Sequence, residues 1–355
     1  MNTMQTINPI QLKTWSWTKV NDTTLPLPQG TDARYRRDPV TSAPARVRLA
    51  PQMFPQSWQH ADKTPLRMGE DWERYIGQHA NVLYDVLLDG DEPLRLDFVL
   101  DEHSPYLVDD CTFVVEEGTS GRVLLSYQGA GWHAGRTRLW VREGGQARIV
   151  LLQNMADTAV HSSALAVGLE KDASVEIVCV DFGAGQAVGH VNIESWGEGA
   201  RAELHTLYLG DGERQLDFHY RMAMHGKRNQ SNMKTHGVLF ARSRKLYRGT
   251  LDFIRGCSGS KGSEEENTIL MSPNIRQQSV PLLLCGEDNV EGAHAASTGK
   301  IDENKLFYLM SRGLSELQAR KLIVEAAFLP TLQRIGQPET EELLMEQVRR
   351  KLDHV

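Results

Sequence analysis

A turn recurs at a nearly fixed interval through the middle of this chain, and no other feature limits its folding so strongly. Gly118 in VEEGTSG, Gly145 in REGGQAR, Ala173 in EKDASVE, Gly199 in WGEGARA and Gly226 in MHGKRN lie 27, 28, 26 and 27 residues apart. Between them run short segments rich in Val, Ile, Leu and Phe, such as RVLLSY, ARIVLLQ, VEIVCV and AELHTLYL, which read as strands. A period of this length with two or three short strands per repeat describes a solenoid of stacked β-coils. One coil cannot bury its own apolar face, so neighbours must stack. A β-sandwich or barrel would contain similar strands without needing a fixed period. The solenoid reading has a second consequence. Its ends expose strand edges that must be capped or paired with another chain, so the sequence predicts dimerisation.

The flanks read differently, which divides the chain into residues 1–85, 86–300 and 301–355. Eight of the fourteen prolines fall in the first part and exclude one long helix there. Short helices are predicted at Pro9–Val20 and Glu70–Leu83, with Trp15, Trp17, Trp58 and Trp72 as packing anchors of a small lobe. The last part is helical. Asp302 opens IDENKLFYLMSR, and Gly313 stops it. Ser315 begins a capping box with Gln318. Leu317, Leu322, Ile323 and Ala326 are expected to share one face of the second helix, which Pro330 kinks or ends. Leu343, Leu344, Val348 and Leu352 form the stripe of a third. These stripes serve either packing on the solenoid or docking of a partner.

Composition excludes several classes of function. The net charge of -7 does not provide the general basic face that nucleic acid or an anionic membrane requires, although it leaves room for a local basic patch. No run of 18 apolar residues spans a membrane, and the N-terminus lacks the pattern of a secretory signal. A cytoplasmic protein is expected. P-loop, G-x-S-x-G and H-E-x-x-H motifs are absent. The four cysteines, Cys111, Cys179, Cys257 and Cys285, are far apart, unlike a zinc or four-thiolate cluster site. Cys111, Cys179 and Cys285 read as buried; Cys257, in RGCSGSKG, reads as more exposed. His219, His225 and His236 read as structural.

The segment with the clearest chemical character is Asn289–Asp302. His294 stands among tiny residues at the end of the strand region, where small neighbours leave room for another chain or an ion at its imidazole. Glu264, Glu265 and Glu266 lie upstream as carboxylates that could join such a site.

The block from His294 to Ile323, HAASTGKIDENKLFYLMSRGLSELQARKLI, closely resembles the signature of the SufB/SufD family. HGVLF, YRG, NTILMS and the stretch from Pro281 to Val290 resemble the elements leading into it, and TWSWTKVND resembles the opening of SufD-type chains. The resemblance covers residues 236–325 in detail and the rest in outline. It implies a right-handed parallel β-helix core, an N-terminal small helical lobe and a C-terminal helical domain. It implies a non-catalytic scaffold subunit of a SufBCD complex for iron–sulfur cluster assembly. Such a subunit pairs with a SufB-type paralog through the β-helix and with SufC, an ABC-type ATPase, through the C-terminal helices, including Phe307, Tyr308, Ser311, Arg312 and Gly313. His294 matches the histidine that SufD-type chains contribute at the interface, where a transient iron–sulfur cluster would form; the isolated chain would hold no cofactor. SufB-type chains carry a cysteine where this chain has Glu266 and a glutamate where it has Ala295. Those departures point to the SufD-type paralog and leave Glu266 a weaker candidate ligand. The rival readings are a homodimeric β-helix interaction protein without a cluster role and a β-helix enzyme acting on polysaccharide.

Overall fold

The computed structural model describes residues 3–28, 35–43, 48–50 and 63–353. In the N-terminal part, β1 (Thr3–Ile7) pairs antiparallel with β2 (Thr23–Leu27). Two short strands, β3 (Val40–Ser42) and β4 (Arg48–Ala50), and one helix, α1 (Glu70–His79), follow. The chain then winds through sixteen strands: β5 (Val82–Leu88), β6 (Gly90–Leu100), β7 (Tyr106–Val115), β8 (Ser120–Gly129), β9 (Trp132–Val141), β10 (Gln146–Met155), β11 (Val160–Leu169), β12 (Ser174–Asp181), β13 (Gln186–Ser195), β14 (Arg201–Gly210), β15 (Gln215–Met224), β16 (Gln230–Leu239), β17 (Arg244–Phe253), β18 (Lys261–Leu270), β19 (Arg276–Cys285) and β20 (Glu291–Lys300). From β7 on, each pairs in parallel with the strand two before it, so odd and even strands build two facing nine-stranded sheets, completed by β4 and β3. This is the β-solenoid, with two strands per coil. The register advances by 26 residues from Ser120 to Gln146 and by 31 from Gln230 to Lys261.

The periodic turn has a stereochemical cause. All five turn motifs occupy the same corner, where an odd strand hands over to the next even one. In each, one residue takes a left-handed backbone: Gly118 (φ 63°), Gly144 (64°), Asp172 (54°), Gly199 (73°) and Arg228 (55°). The N–H of each donates to a carbonyl one coil further on, namely those of Glu143, Lys171, Glu198, Lys227 and Ser258. Left-handed φ is cheapest for glycine and tolerated by aspartate, hence the recurring Gly and Asp.

Inside, alternate residues of facing strands fill the coil with Phe98, Phe113, Phe218, Tyr247 and Phe253, all buried. Each such side chain contributes roughly 1.5–3 kcal/mol by leaving water. The even-numbered sheet is apolar on its outer face too, with Leu124, Val150, Val178, Leu207 and Val238. Strands apolar on both faces need cover on both. The C-terminal helices α2 (Glu303–Ser311), α3 (Glu316–Leu332) and α4 (Pro338–Leu352) follow. The last two cover that sheet with Val324, Phe328, Leu332, Leu344, Val348 and Leu352. Asp302 caps α2, the Ser315–Gln318 capping box opens α3, and Pro330 falls in its final turn.

Several expectations need correction. Between Pro9 and Val20 only Ser16–Thr18 forms a 3-10 turn, because the Asn21 side chain accepts from the Thr14 N–H and donates to its carbonyl. Local side-chain bonds of this kind compete with a helix. The turn presents Trp15 and Trp17 to solvent, 74% and 73% exposed, whereas Trp72 is buried and donates to Ser162; Trp58 lies outside the described residues. The Glu70 helix stops at His79 because β5 starts at Val82. Leu317 and Leu322 face solvent, since α3 packs through Val324 and Phe328 instead, and Leu343 is exposed beside the buried Leu344. The cysteine expectation is reversed for two residues. Cys257 is buried beneath its turn, and Cys285, on an edge strand, is exposed.

Candidate functional site

The two ends of the solenoid differ. At the first, antiparallel strands cap both sheets, β3 on β6 and β4 on β5. At the last, β19 and β20 end their sheets with no described strand beyond them. Each therefore presents a row of unpaired backbone donors and acceptors, which is a template for another strand. Every residue of β20 is exposed.

His294 lies on this edge, and its direction follows from the pleat. A side chain at Gly292 would meet Leu283 and Phe253, which are interior groups. Residues two apart point the same way, so His294 and Ala296 also face the mouth of the coil. From β19, Ser279 and Leu283 face the same mouth, since Ser279 bonds the interior Glu266 and Leu283 approaches Gly292.

Directly beneath lie two carboxyl groups with different fates. Glu264 is the in-register neighbour of His294. It is buried, and its Oε2 has no hydrogen-bond partner among the described residues. Its carboxyl rests over Gly249 of the YRG motif; a side chain at Gly249 would collide with Glu264 Oε1. Burial raises its pKa to about 7, opposed by a hydrogen bond from Tyr247 and reinforced by the charge of Glu266. Glu266, in contrast, is fully committed. It forms a buried ion pair with Lys245 and accepts from Ser279 at 2.5 Å. Burial lowers the Lys245 pKa, against the pull of Glu266. The ammonium also lies 5.4 and 5.2 Å from the Tyr208 and Tyr247 ring centres.

Thus the structure brings His294 beside Glu264, while Glu266, two residues along β18 and in register with Ala296, is held in an ion pair. Among the described residues no three His, Cys, Asp or Glu side chains converge as a metal site. Sequence reasoning named Glu264 only as part of an acidic run; the legible signal was the 30-residue register with His294.

The other predicted residues form a separate surface. Phe307 and Tyr308 are 73% and 62% exposed, and Ser311, Arg312 and Gly313 are exposed as well. α2 buries no residue. Between α2 and α3 runs an apolar groove lined by Tyr308, Leu309, Leu322, Ile323 and Ala326. Deeper in the solenoid, Asp109, His133, His161 and Ser163 form a buried hydrogen-bonded chain with links of 2.5, 2.8 and 3.2 Å. Burial pushes the His133 pKa down to about 3, so the imidazole is neutral and structural.

Comparisons with known proteins bear on this geometry. A family model described as SUF system FeS cluster assembly, SufBD core domain, matches residues 98–327. An iron–sulfur cluster assembly SufBD family protein of Mycobacterium leprae is 28% identical over 246 residues, 65% of this chain and 61% of the relative. The iron–sulfur cluster assembly protein SufD of Bacillus subtilis is 25% identical over 182 residues, 51% of this chain and 42% of the relative. SufB of Bacillus subtilis is 27% identical over 246 residues, 69% and 49%. The chain spans about three fifths of the length of the mycobacterial relative and less of the other two. No described helix is long and apolar enough to cross a membrane.

Proposed function

The chain belongs to the SufBD family of iron–sulfur cluster assembly proteins, and from that premise we propose that it is a SufD-type accessory scaffold subunit without catalytic activity of its own. The observation that carries the reading is the open last coil with His294 at its mouth. In this proposal the free edges of β19 and β20 pair with the corresponding end of a SufB-type paralog. His294 then lies at the seam and offers one imidazole to the nascent cluster, which is cargo and not a resident cofactor. Glu266, tied to Lys245, takes no part as a ligand, so sulfur ligands come from the paralog. The α2–α3 groove and the exposed Phe307 and Tyr308 dock the SufC ATPase. The protein works in the cytoplasm and needs neither nucleic acid nor membrane.

A homodimer through the same edge would use the same backbone chemistry, and the two are separable. The chain is co-expressed with the SufB and SufC of its own organism and purified by a tag. Ala296→Pro removes an edge N–H and is expected to release SufB while keeping SufC. Tyr308→Ala with Leu322→Asp is expected to do the reverse. Failure of the unaltered chain to retain either partner overturns the proposal.

A further inference from the structure

We propose that a concave site on the outer face of the odd-numbered sheet, between that sheet and the segment following the exposed tryptophans, binds a phosphate group, free or as a monoester. The concavity, about 180 Å³, is lined by Lys19, Asp22, Gln215, Arg244, Arg276 and Gln278, among others. It lies on the outer face of β15, β17 and β19, whereas His294 faces the inside of the last coil, and it does not depend on the scaffold reading.

The hollow carries an unbalanced positive charge in a chain of net charge -7. Arg244 and Arg276 are the first residues of adjacent parallel strands and stand in register. Neighbouring strands lie about 4.8 Å apart, and like charges directly opposite one another destabilise a sheet. Elsewhere on the solenoid such crowding is relieved. Arg136 and Arg138 share Asp110 at 2.6 and 3.2 Å, and Arg221 lies between Glu194 and Asp252 at 2.7 and 2.6 Å. Arg244, Arg276 and Lys19 have no ion-pair partner among the described residues, although all three border the same hollow.

The two acids nearby do not neutralise them. Asp217 is buried and already held by Arg248 and by Asn8 at 2.6 Å. Asp22 is exposed and leaves an excess of two positive charges over the hollow. The floor is rigid. Arg248 also donates to the Val20 carbonyl, and Gln278 donates to that of Thr18, which ties the Lys19 segment to β17 and β19. A site with fixed walls and two adjacent guanidinium groups suits a tetrahedral dianion, because each guanidinium can form two charge-assisted bonds to neighbouring oxygens. Gln215, in register with Arg244, extends the donor row by one amide.

The test is a calorimetric titration of the full chain with inorganic phosphate and, separately, with phenyl phosphate at low ionic strength. One-to-one binding is expected for at least one of them. Arg244→Gln and Arg276→Gln are each expected to weaken it about tenfold, and the double variant to abolish it. Both side chains are exposed, so the variants should keep the wild-type circular dichroism and melting temperature. Arg350→Gln, exposed on α4 away from the hollow, should bind as wild type. Tighter binding of phenyl phosphate assigns the site to a monoester, and tighter binding of inorganic phosphate assigns it to the free ion. Absence of binding by both probes, or binding that survives in the double variant, overturns the proposal.

Discussion

Replacing Glu264 by glutamine should change how stability depends on pH, not merely its level. Glu264 is buried with one carboxyl oxygen unpartnered, and its pKa rises from 4.5 to about 7. The group is thus protonated in the folded state across a range where the unfolded chain has already ionised it. Between pH 4.5 and about 7 the folded state binds the extra proton, so stability falls as pH rises through that window and levels off above it. A shift of about 2.5 units corresponds to about 3 kcal/mol. Glutamine fills the same space over Gly249 and carries no charge. Urea unfolding of both proteins at pH 5, 6, 7 and 8.5 should therefore show Glu264→Gln gaining on wild type as pH increases. The stability of Glu264→Gln relative to wild type should rise by about 2.5 kcal/mol from pH 5 to pH 8.5, part of the effect being already spent at pH 5. A difference that stays constant with pH would refute the reasoning, because it would mean that the carboxyl ionises in the fold as readily as in water.

Other consequences concern packing and access. Lys245→Met leaves Glu266 buried without its ion-pair partner and should cost about 3–5 kcal/mol in chemical unfolding; adding Glu266→Met should recover most of that loss. Phe328→Ala removes the ring that stacks on Phe182, 5.7 Å between centres. It should cost about 3–5 kcal/mol and raise hydrogen exchange in α3 and α4 before the solenoid opens. Trp15→Ala and Trp17→Ala should change stability by no more than about 0.5 kcal/mol, as exposed residues do. A thiol reagent should label Cys285 in the native protein, whereas Cys111, Cys179 and Cys257 should react only in denaturant.

Much of the fold was legible because its cause is local. The left-handed turn residue recurs in all five turns, and glycine or aspartate marks it in four of them, with Arg228 in the fifth. The capping box at Ser315 and the Gly313 stop are equally local, and both appear. What escaped depends on neighbours distant in sequence. Leu317, Leu322 and Val324 are alike as residues, yet only Val324 meets the sheet. Trp15 and Trp72 are alike as well, and an asparagine turn decides that one is exposed. Cys285 reads as core from its apolar run and lies open only because no described strand follows β19 in its sheet. The candidate site shows the same division. His294 stands out by its small neighbours, but its pairing with Glu264 requires the register of strands 30 residues apart, and that of Glu266 with Lys245 requires contact across the coil between the two sheets.

The proposed role of His294 is that of a ligand at a seam between two solenoids. The direct measurement is iron and acid-labile sulfide per complex, after anaerobic purification of the chain with its SufB and SufC, wild type beside His294→Ala. Both complexes are expected to assemble with the same subunit ratio, and the alanine complex to lose most of its iron and sulfide. Equal iron and sulfide in the two complexes would contradict that role and leave His294 a residue of the edge strand without a part in the chemistry.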